Sequence, residues 1–281
     1  MKTKTGSIIA IVLLSLLACG LVFATYIGIK YINISDLPGI SFSTTSQRLA
    51  LDKEFEFKDT KVIDVETDGS DVQFIKGEDK SGTIKIKIYA SEDKTVSAEK
   101  ESDTLNVSVK DSCKGFCFGL SNSRIEITLP EEYEGDFAIR TDAGDIKSDA
   151  FSKASFDIND NAGDIDIVAA KSIKVTSDAG DLDLGSIENI TIKTNAGDIK
   201  INECFGELHL DTNAGDVEIN ELQLSKNSDI KTDAGDVKIL NSGTIYTDAH
   251  ADFGDVNIQN NSRKSDIELK IETHAGDIKV N

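Results

Sequence analysis

The stretch Thr194-Asn195-Ala196-Gly197-Asp198-Ile199-Lys200-Ile201 recurs in variant form along the C-terminal half of the chain, centred on Gly144, Gly163, Gly180, Gly197, Gly215, Gly235, Gly254 and Gly276. The spacings are 19, 17, 17, 18, 20, 19 and 22 residues. Self-similarity at a nearly fixed period is the signature of stacked repeats. Each repeat also alternates about its glycine. Five residues before it stand Ile139, Ile158, Val175, Ile192, Leu210, Ile230, Ala249 and Ile271; two after it stand Ile146, Ile165, Leu182, Ile199, Val217, Val237, Val256 and Ile278. The residues between are polar, among them Lys174, Asp183, Lys193 and Lys200. Period-two alternation on both sides of a glycine reads as strand–turn–strand with one wet and one buried face.

A unit this short cannot bury its apolar face alone. Stacking successive units does so and lays down aliphatic columns, each coil adding a rung about 4.8 Å further along parallel sheets. The pattern therefore predicts an all-β fold, a parallel β-solenoid of about eight coils over 136–281. Its predicted hand is right, as for other parallel crossovers. Each coil has two long sides and one short side, and segments such as Asn202-Glu203-Cys204-Phe205-Gly206 absorb the differences in length. An antiparallel sandwich of hairpins at each Asx-Ala-Gly-Asp is the rival, disfavoured because the columns keep register over so many units.

Residues 60–135 alternate without repeating. Val62–Val65, Val72–Ile75, Ile84–Ile88, Leu105–Val109 and Ile125–Leu129 read as strands, and Thr67-Asp68-Gly69-Ser70-Asp71-Val72 as a degenerate copy of the repeat turn. This is the expected irregular module capping the solenoid, since terminal units of stacks are atypical. Residues 31–59 are a transition in which Leu49–Phe57 could form a first strand. At the other end the sequence stops at Asn281 directly after an inward strand, which leaves residues 265–281 as the expected open coil and a route to self-association.

The first 30 residues are the expected membrane anchor. Ser7–Ile29 is uncharged and mostly apolar, long enough to span a bilayer, and follows Lys2 and Lys4. The positive-inside rule then places the N-terminus in the cytoplasm and the repeats outside. Leu16-Leu17-Ala18-Cys19 resembles a lipoprotein cleavage box, the alternative in which Cys19 is lipidated. The formal net charge of the chain is −20. A surface so acidic argues against nucleic-acid partners and suits cationic ones, although a simply solvated face is the plainer reading.

Chemistry-bearing motifs are few. Cys113-Lys114-Gly115-Phe116-Cys117 is a close pair that could oxidise to a disulfide outside the cell, form half a metal site or remain as thiols; no second Cys/His pair lies at zinc-site spacing. Cys204 stands alone as a packing residue. His209, His250 and His274 fall on outward positions with no catalytic signature around them, so no catalytic residue is assigned. An Asp follows every repeat glycine, which makes Asp164, Asp181, Asp198, Asp216 and Asp236 candidates for a calcium ladder. Turn chemistry explains the column as well, since Asx side chains accept backbone N–H groups. No cofactor is required.

The Ile-x-Ile-x-Leu-Pro strand at Ile125–Pro130, leading into serial [Thr/Ser]-[Asp/Asn]-Ala-Gly-Asp-[Ile/Val/Leu] repeats behind one apolar N-terminal segment, resembles the bacterial "putative-adhesin" domain family of unknown function, in particular its LiaG-like membrane-anchored members. The resemblance covers roughly residues 60–281. It implies a non-catalytic surface module linked to envelope stress that binds cell-wall polymer or a membrane protein, and it supplies no binding residues. The Cys-Lys-Gly-Phe-Cys insertion is not part of the family pattern. The other readings of the residues are a calcium-responsive surface scaffold and, disfavoured by the scarcity of aromatic sugar platforms, a polysaccharide-acting enzyme.

Overall fold

The computed structural model describes residues 47–77, 82–112, 123–259 and 261–281. Among them every regular element is a strand, nineteen in one continuous, mostly parallel sheet. In chain order the first eight are β1 (Arg48–Glu56), β2 (Val62–Thr67), β3 (Ser70–Gly77), β4 (Thr83–Ala90), β5 (Lys94–Glu101), β6 (Thr104–Asp111), β7 (Ser123–Pro130) and β8 (Asp136–Thr141). Four long bent strands follow: β9 (Ile146–Ala162), β10 (Ile165–Ala179), β11 (Leu182–Ala196) and β12 (Ile199–Ala214). The rest are β13 (Val217–Leu222), β14 (Ser228–Ala234), β15 (Val237–Ser242), β16 (Tyr246–Phe253), β17 (Val256–Ile258), β18 (Glu268–Ala275) and β19 (Ile278–Val280).

The coils stack in parallel, as the period requires. β10 pairs with β9 on one side and β11 on the other, with Val175 opposite both Ile158 and Ile192. Among the described residues the strands on either side of a repeat glycine pair only in parallel, one coil apart, and never as an antiparallel hairpin, so the hairpin sandwich is excluded. A coil has two long runs and a short third side, where Ala170, Ile187, Cys204 and Leu222 stand in register. The inward columns form one core; Ile192 is 2 % exposed while its neighbour Lys193 is solvent-exposed. At the N-terminal end the core is aromatic: Phe137 lies 4.5 Å from both Phe74 and Phe156.

The five strands read from 60–135 are present, and so is the first strand in the transition segment, as β1. The degenerate turn at Gly69 joins the stack, with β2 pairing parallel to β8 and β3 to β9. Outside this coil lie β6 and β7, also parallel to it. Three antiparallel pairings then close the end: β5 on β6, β4 on β7 and β1 on β4.

The distal end departs from sequence order. β18 pairs parallel with β14 on one side and β16 on the other, and β19 lies likewise between β15 and β17. The coil turning at Gly276 is therefore inside the stack, and the coil turning at Gly254 forms the rim. The expectation that residues 265–281 form an open coil is overturned, and with it self-association through them. The reason lies in the inward side chains. The Gly276 coil offers Leu269, Ile271, Ile278 and Val280, each at most 1 % exposed, whereas the Gly254 coil offers Thr247, Ala249, Ala251, Val256 and Ile258. Burying the larger aliphatics between two layers gains more, at about 25 cal/mol per Å² of apolar area, than burying the small ones.

Candidate binding face

The repeat corner sets the outer surface. Gly197 has φ 120°, and a Cβ there would lie 2.0 Å from the carbonyl oxygen of Gly180 in the coil below. Only glycine lets the coils close to strand spacing at this corner. The next residue is the invariant Asp, whose carboxylate reaches along the stack. The backbone N–H of Asp198 donates to Asp181 Oδ1 at 2.9 Å, that of Asp216 to Asp198 Oδ1 at 2.9 Å and that of Asp236 to Asp216 Oδ1 at 2.8 Å. The same bond joins Asp145 to Asp71, Asp164 to Asp145 and Asp181 to Asp164, and continues from Asp277 to Asp236 and Asp255 to Asp277. The acceptor role expected of these carboxylates is present, but its donor is in the neighbouring coil rather than in the carboxylate's own turn. Each bond offsets the repulsion between stacked carboxylates.

Two further columns flank the ladder. Two residues before the glycine, Asn161 Nδ2 donates to Asp142, Asn195 Nδ2 to Asp178 and Asn213 Nδ2 to Asn195 Oδ1. Three before it are buried hydroxyls: Thr194 donates to Ala196 O and Thr212 to Ala214 O, both at 3.2 Å. Asp160 interrupts this column. It is 3 % exposed, its Oδ2 has no partner, and burial, reinforced by Asp145 and Asp142, pushes its carboxyl up to about 6. Thr232 and Thr273, in the same column near the distal end, also lack a partner for their hydroxyls.

Lys238 and Glu218, opposite each other in adjacent coils, pair at 2.9 Å. His209 is held between Glu207 and Asp229, whose hydrogen bonds raise its pKa, and Lys226 joins Glu207 at 2.8 Å. Insertion of the Gly276 coil brings His250 and His274 together. His274 Nδ1 bonds Asp233 and His250 Nε2 bonds Asp252, each at 3.0 Å, while His274 Nε2 lies 3.8 Å from Asp252. These are exposed surface pairs across three coils. Among the described residues no three His, Cys, Asp or Glu side chains are grouped to hold a metal ion.

Cys204 is fully buried against Ile187 and Leu222, and burial pushes its thiol up to about 11. Cys19, Cys113 and Cys117 lie outside the described residues, as does the apolar Ser7–Ile29 segment; no helix among the described residues is long and apolar enough to cross a membrane.

Sequence reasoning missed Asn261. Its side-chain amide accepts the N–H of Thr247 at 3.2 Å and donates to Thr247 O at 2.8 Å, on the outer edge of β16, and the N–H of Ser262 donates to Ile245 O at 3.0 Å. An Asn in a polar loop gives no sign that its amide stands in for a missing strand. Beyond this latch no strand among the described residues pairs with the rim. Phe253 is 79 % exposed and the inward-column Val256 is 42 % exposed, against 0 % for its counterpart Val237.

The chain is similar to several solved structures at low identity and low structural overlap. A "putative adhesin" from Bacteroides fragilis is 15 % identical with a TM-score of 0.47, the alignment covering 84 % of this chain and 99 % of that one. A "putative lipid binding protein" from Parabacteroides distasonis is 11 % identical with a TM-score of 0.45, covering 86 % and 100 %. A "putative cell adhesion protein" from Clostridium sporogenes is 16 % identical with a TM-score of 0.33, covering 84 % and 99 %. No curated protein matches the sequence. The profile of the Toastrack DUF4097 family matches residues 60–281, the strands of the stack from β2 onward. By that match the chain belongs to the Toastrack DUF4097 family.

Proposed function

We propose that the chain is a non-catalytic, membrane-anchored extracellular module that binds cell-envelope material or a membrane-borne partner. The observation that carries this reading is the periodic outer face: a carboxylate column running unbroken from Asp71 to Asp255, beside amide and mixed-charge columns in strict register. Such a face repeats one contact at every coil, which suits a repetitive or extended ligand. Catalysis calls for different polar groups converging in a concave site. Here the histidines and carboxylates pair with one another on exposed strands. Anchoring through Ser7–Ile29 and the outward placement of the repeats follow from Lys2 and Lys4 before the apolar run. The link to envelope stress rests on the family resemblance.

Two measurements test the reading. Protease added to intact cells should remove the repeats; their protection would overturn the topology. Purified chain should be retained by isolated envelope polymer or membrane without releasing soluble saccharide. Steady release of product would replace the binding reading with an enzymatic one.

A further inference from the structure

The rim of the stack is an unfinished sheet. Tyr246 N–H faces inward to Ile267 O, whereas the N–H and C=O of Thr247 face outward to Asn261. Main-chain groups alternate sides along a strand, so those of Ala249 and Ala251 also point outward. No strand among the described residues pairs there. The latch covers only the start of β16, and the two cations of the loop, Arg263 and Lys264, follow directly on it.

The side chains along this edge specify what fits. Asp248, His250 and Asp252 stand on its solvent face, all exposed. A strand laid against β16 would place its own outward residues directly opposite them, where like charge is unfavourable and Lys or Arg is favoured. On the inward face Ala249 and Ala251 leave room above them for larger aliphatic side chains. A further glycine-cornered coil is not needed for this, because a single extended segment can pair with β16 without turning at Gly254. A second copy is disfavoured as occupant: two such rims brought face to face would set Asp248 and Asp252 of each against the other's.

We propose that the outer edge of β16 is a docking site for an extended cationic segment of a partner, with Lys or Arg alternating with aliphatic residues, added as one more strand of the sheet. The proposal deepens the binding reading above and rests on it.

The test uses the full chain in detergent and a labelled, end-blocked peptide, Lys-Val-Lys-Ile-Lys-Val-Lys, followed by fluorescence anisotropy. The peptide should bind. Its Glu-for-Lys counterpart and a scrambled peptide without alternation should bind at least roughly tenfold more weakly. Asp248→Lys should weaken the Lys peptide by about tenfold or more and improve the Glu peptide. Ala251→Pro, which removes an outward N–H, should abolish binding with the melting temperature unchanged. Asp183→Lys, a solvent-facing position on the other side of the glycine corner in mid-stack, should have no effect. Equal weakening by Asp183→Lys and Asp248→Lys would reduce the attraction to general charge and overturn the site. No peptide binding, with a monomer–dimer equilibrium abolished by Ala251→Pro, would make a second copy the occupant and overturn the proposal. No binding and no dimer, with envelope retention intact, would remove the edge site while leaving the broader binding reading standing.

Discussion

The two ends of the stack solve the same problem differently. At the N-terminal end the outermost parallel coil, β6 and β7, is faced by antiparallel strands β5, β4 and β1. The edges left by β1 and β5 carry charges of both signs, Lys53, Glu54 and Glu56 on one and Lys94, Glu99, Lys100 and Glu101 on the other, and β1 shifts register between Leu49 and Leu51. Charge and bulges discourage edge-to-edge pairing. At the distal end one asparagine and one backbone N–H from a loop replace the missing strand. Yet both ends break sequence order in the same sense: β2 and β3 lie inside β6 and β7, and β18 and β19 lie inside β16 and β17. At the distal end a coil's place is set by what its inward side chains gain from being covered twice, whereas at the N-terminal end the outer pair, with Leu105, Val107, Ile125 and Ile127 buried, is itself covered by further strands. The N-terminal end was finished with extra strands; the distal end was finished by moving the least apolar coil outward.

The sharpest way to break this comparison is to bury a charge in each distal coil. Ile271→Asp should destabilise by about 3–5 kcal/mol, the cost of an unpaired buried charge, as should Ile192→Asp in mid-stack. Ala249→Asp at the rim should cost under about 1 kcal/mol. Denaturant titration would reveal the reverse ranking if the coils stacked in sequence order. The second test concerns polar defects, Asp160 towards one end and Thr273 towards the other. The folded pKa of Asp160, about 6, lies above its ordinary 3.8, so the folded state holds the proton more tightly. Its contribution to stability is therefore largest at low pH and is lost as pH rises from about 4 to 6. Asp160→Thr, restoring the hydroxyl column, should stabilise by about 1–3 kcal/mol above pH 6 and little at pH 4. A gain independent of pH would refute the buried carboxylate as its cause. Thr273→Val should be neutral or slightly stabilising by the same measurement.

Asn261→Ala isolates the latch. It should destabilise the rim by about 1 kcal/mol and speed amide exchange at Thr247 while leaving Val65, near the opposite end, unchanged. Unchanged exchange at Thr247 would mean the loop does not cap the edge. The smallest effects are expected at the carboxylate ladder. Asp198→Asn keeps an acceptor for the Asp216 N–H and should be nearly silent; Asp198→Ala should cost about 1 kcal/mol. Millimolar calcium should barely move the melting temperature. A large rise abolished by Asp198→Asn would make the column a cation site and revive the calcium-responsive scaffold.

Much of this was legible in the sequence because a column position recurs in every coil. The repeat glycines, the alternation of Ile192 with Lys193 and the degenerate turn at Gly69 are local signals, and the structure places them in register. Which coil lies beside which was not legible, because period-two alternation is identical for every neighbour. That is why the sequence points to residues 265–281 as the open edge and gives no sign that His250 and His274 meet. One signal was available: Ala249 stands where every other repeat has Ile, Val or Leu, and Ala251 where the others keep a polar side chain. The Asp ladder was half legible. Its acceptor chemistry followed from residue type, but a donor in the next coil requires the corner-to-corner contact that only the fold supplies.

The inserted coil also changes how stability propagates. In a simple solenoid, nearest-neighbour coupling follows the covalent chain, so loss from one end peels coils in sequence order. Here, among the described residues, the Gly254 coil has the Gly276 coil as its only stacking neighbour, and the Gly276 coil is connected to it through 259–267. The seat of residues 246–258 is therefore conditional on residues that follow them in sequence. Deleting 268–281 would unseat two coils rather than one. In that sense the distal pair behaves as a single clasp, closed only when the later strand has entered beneath the earlier one.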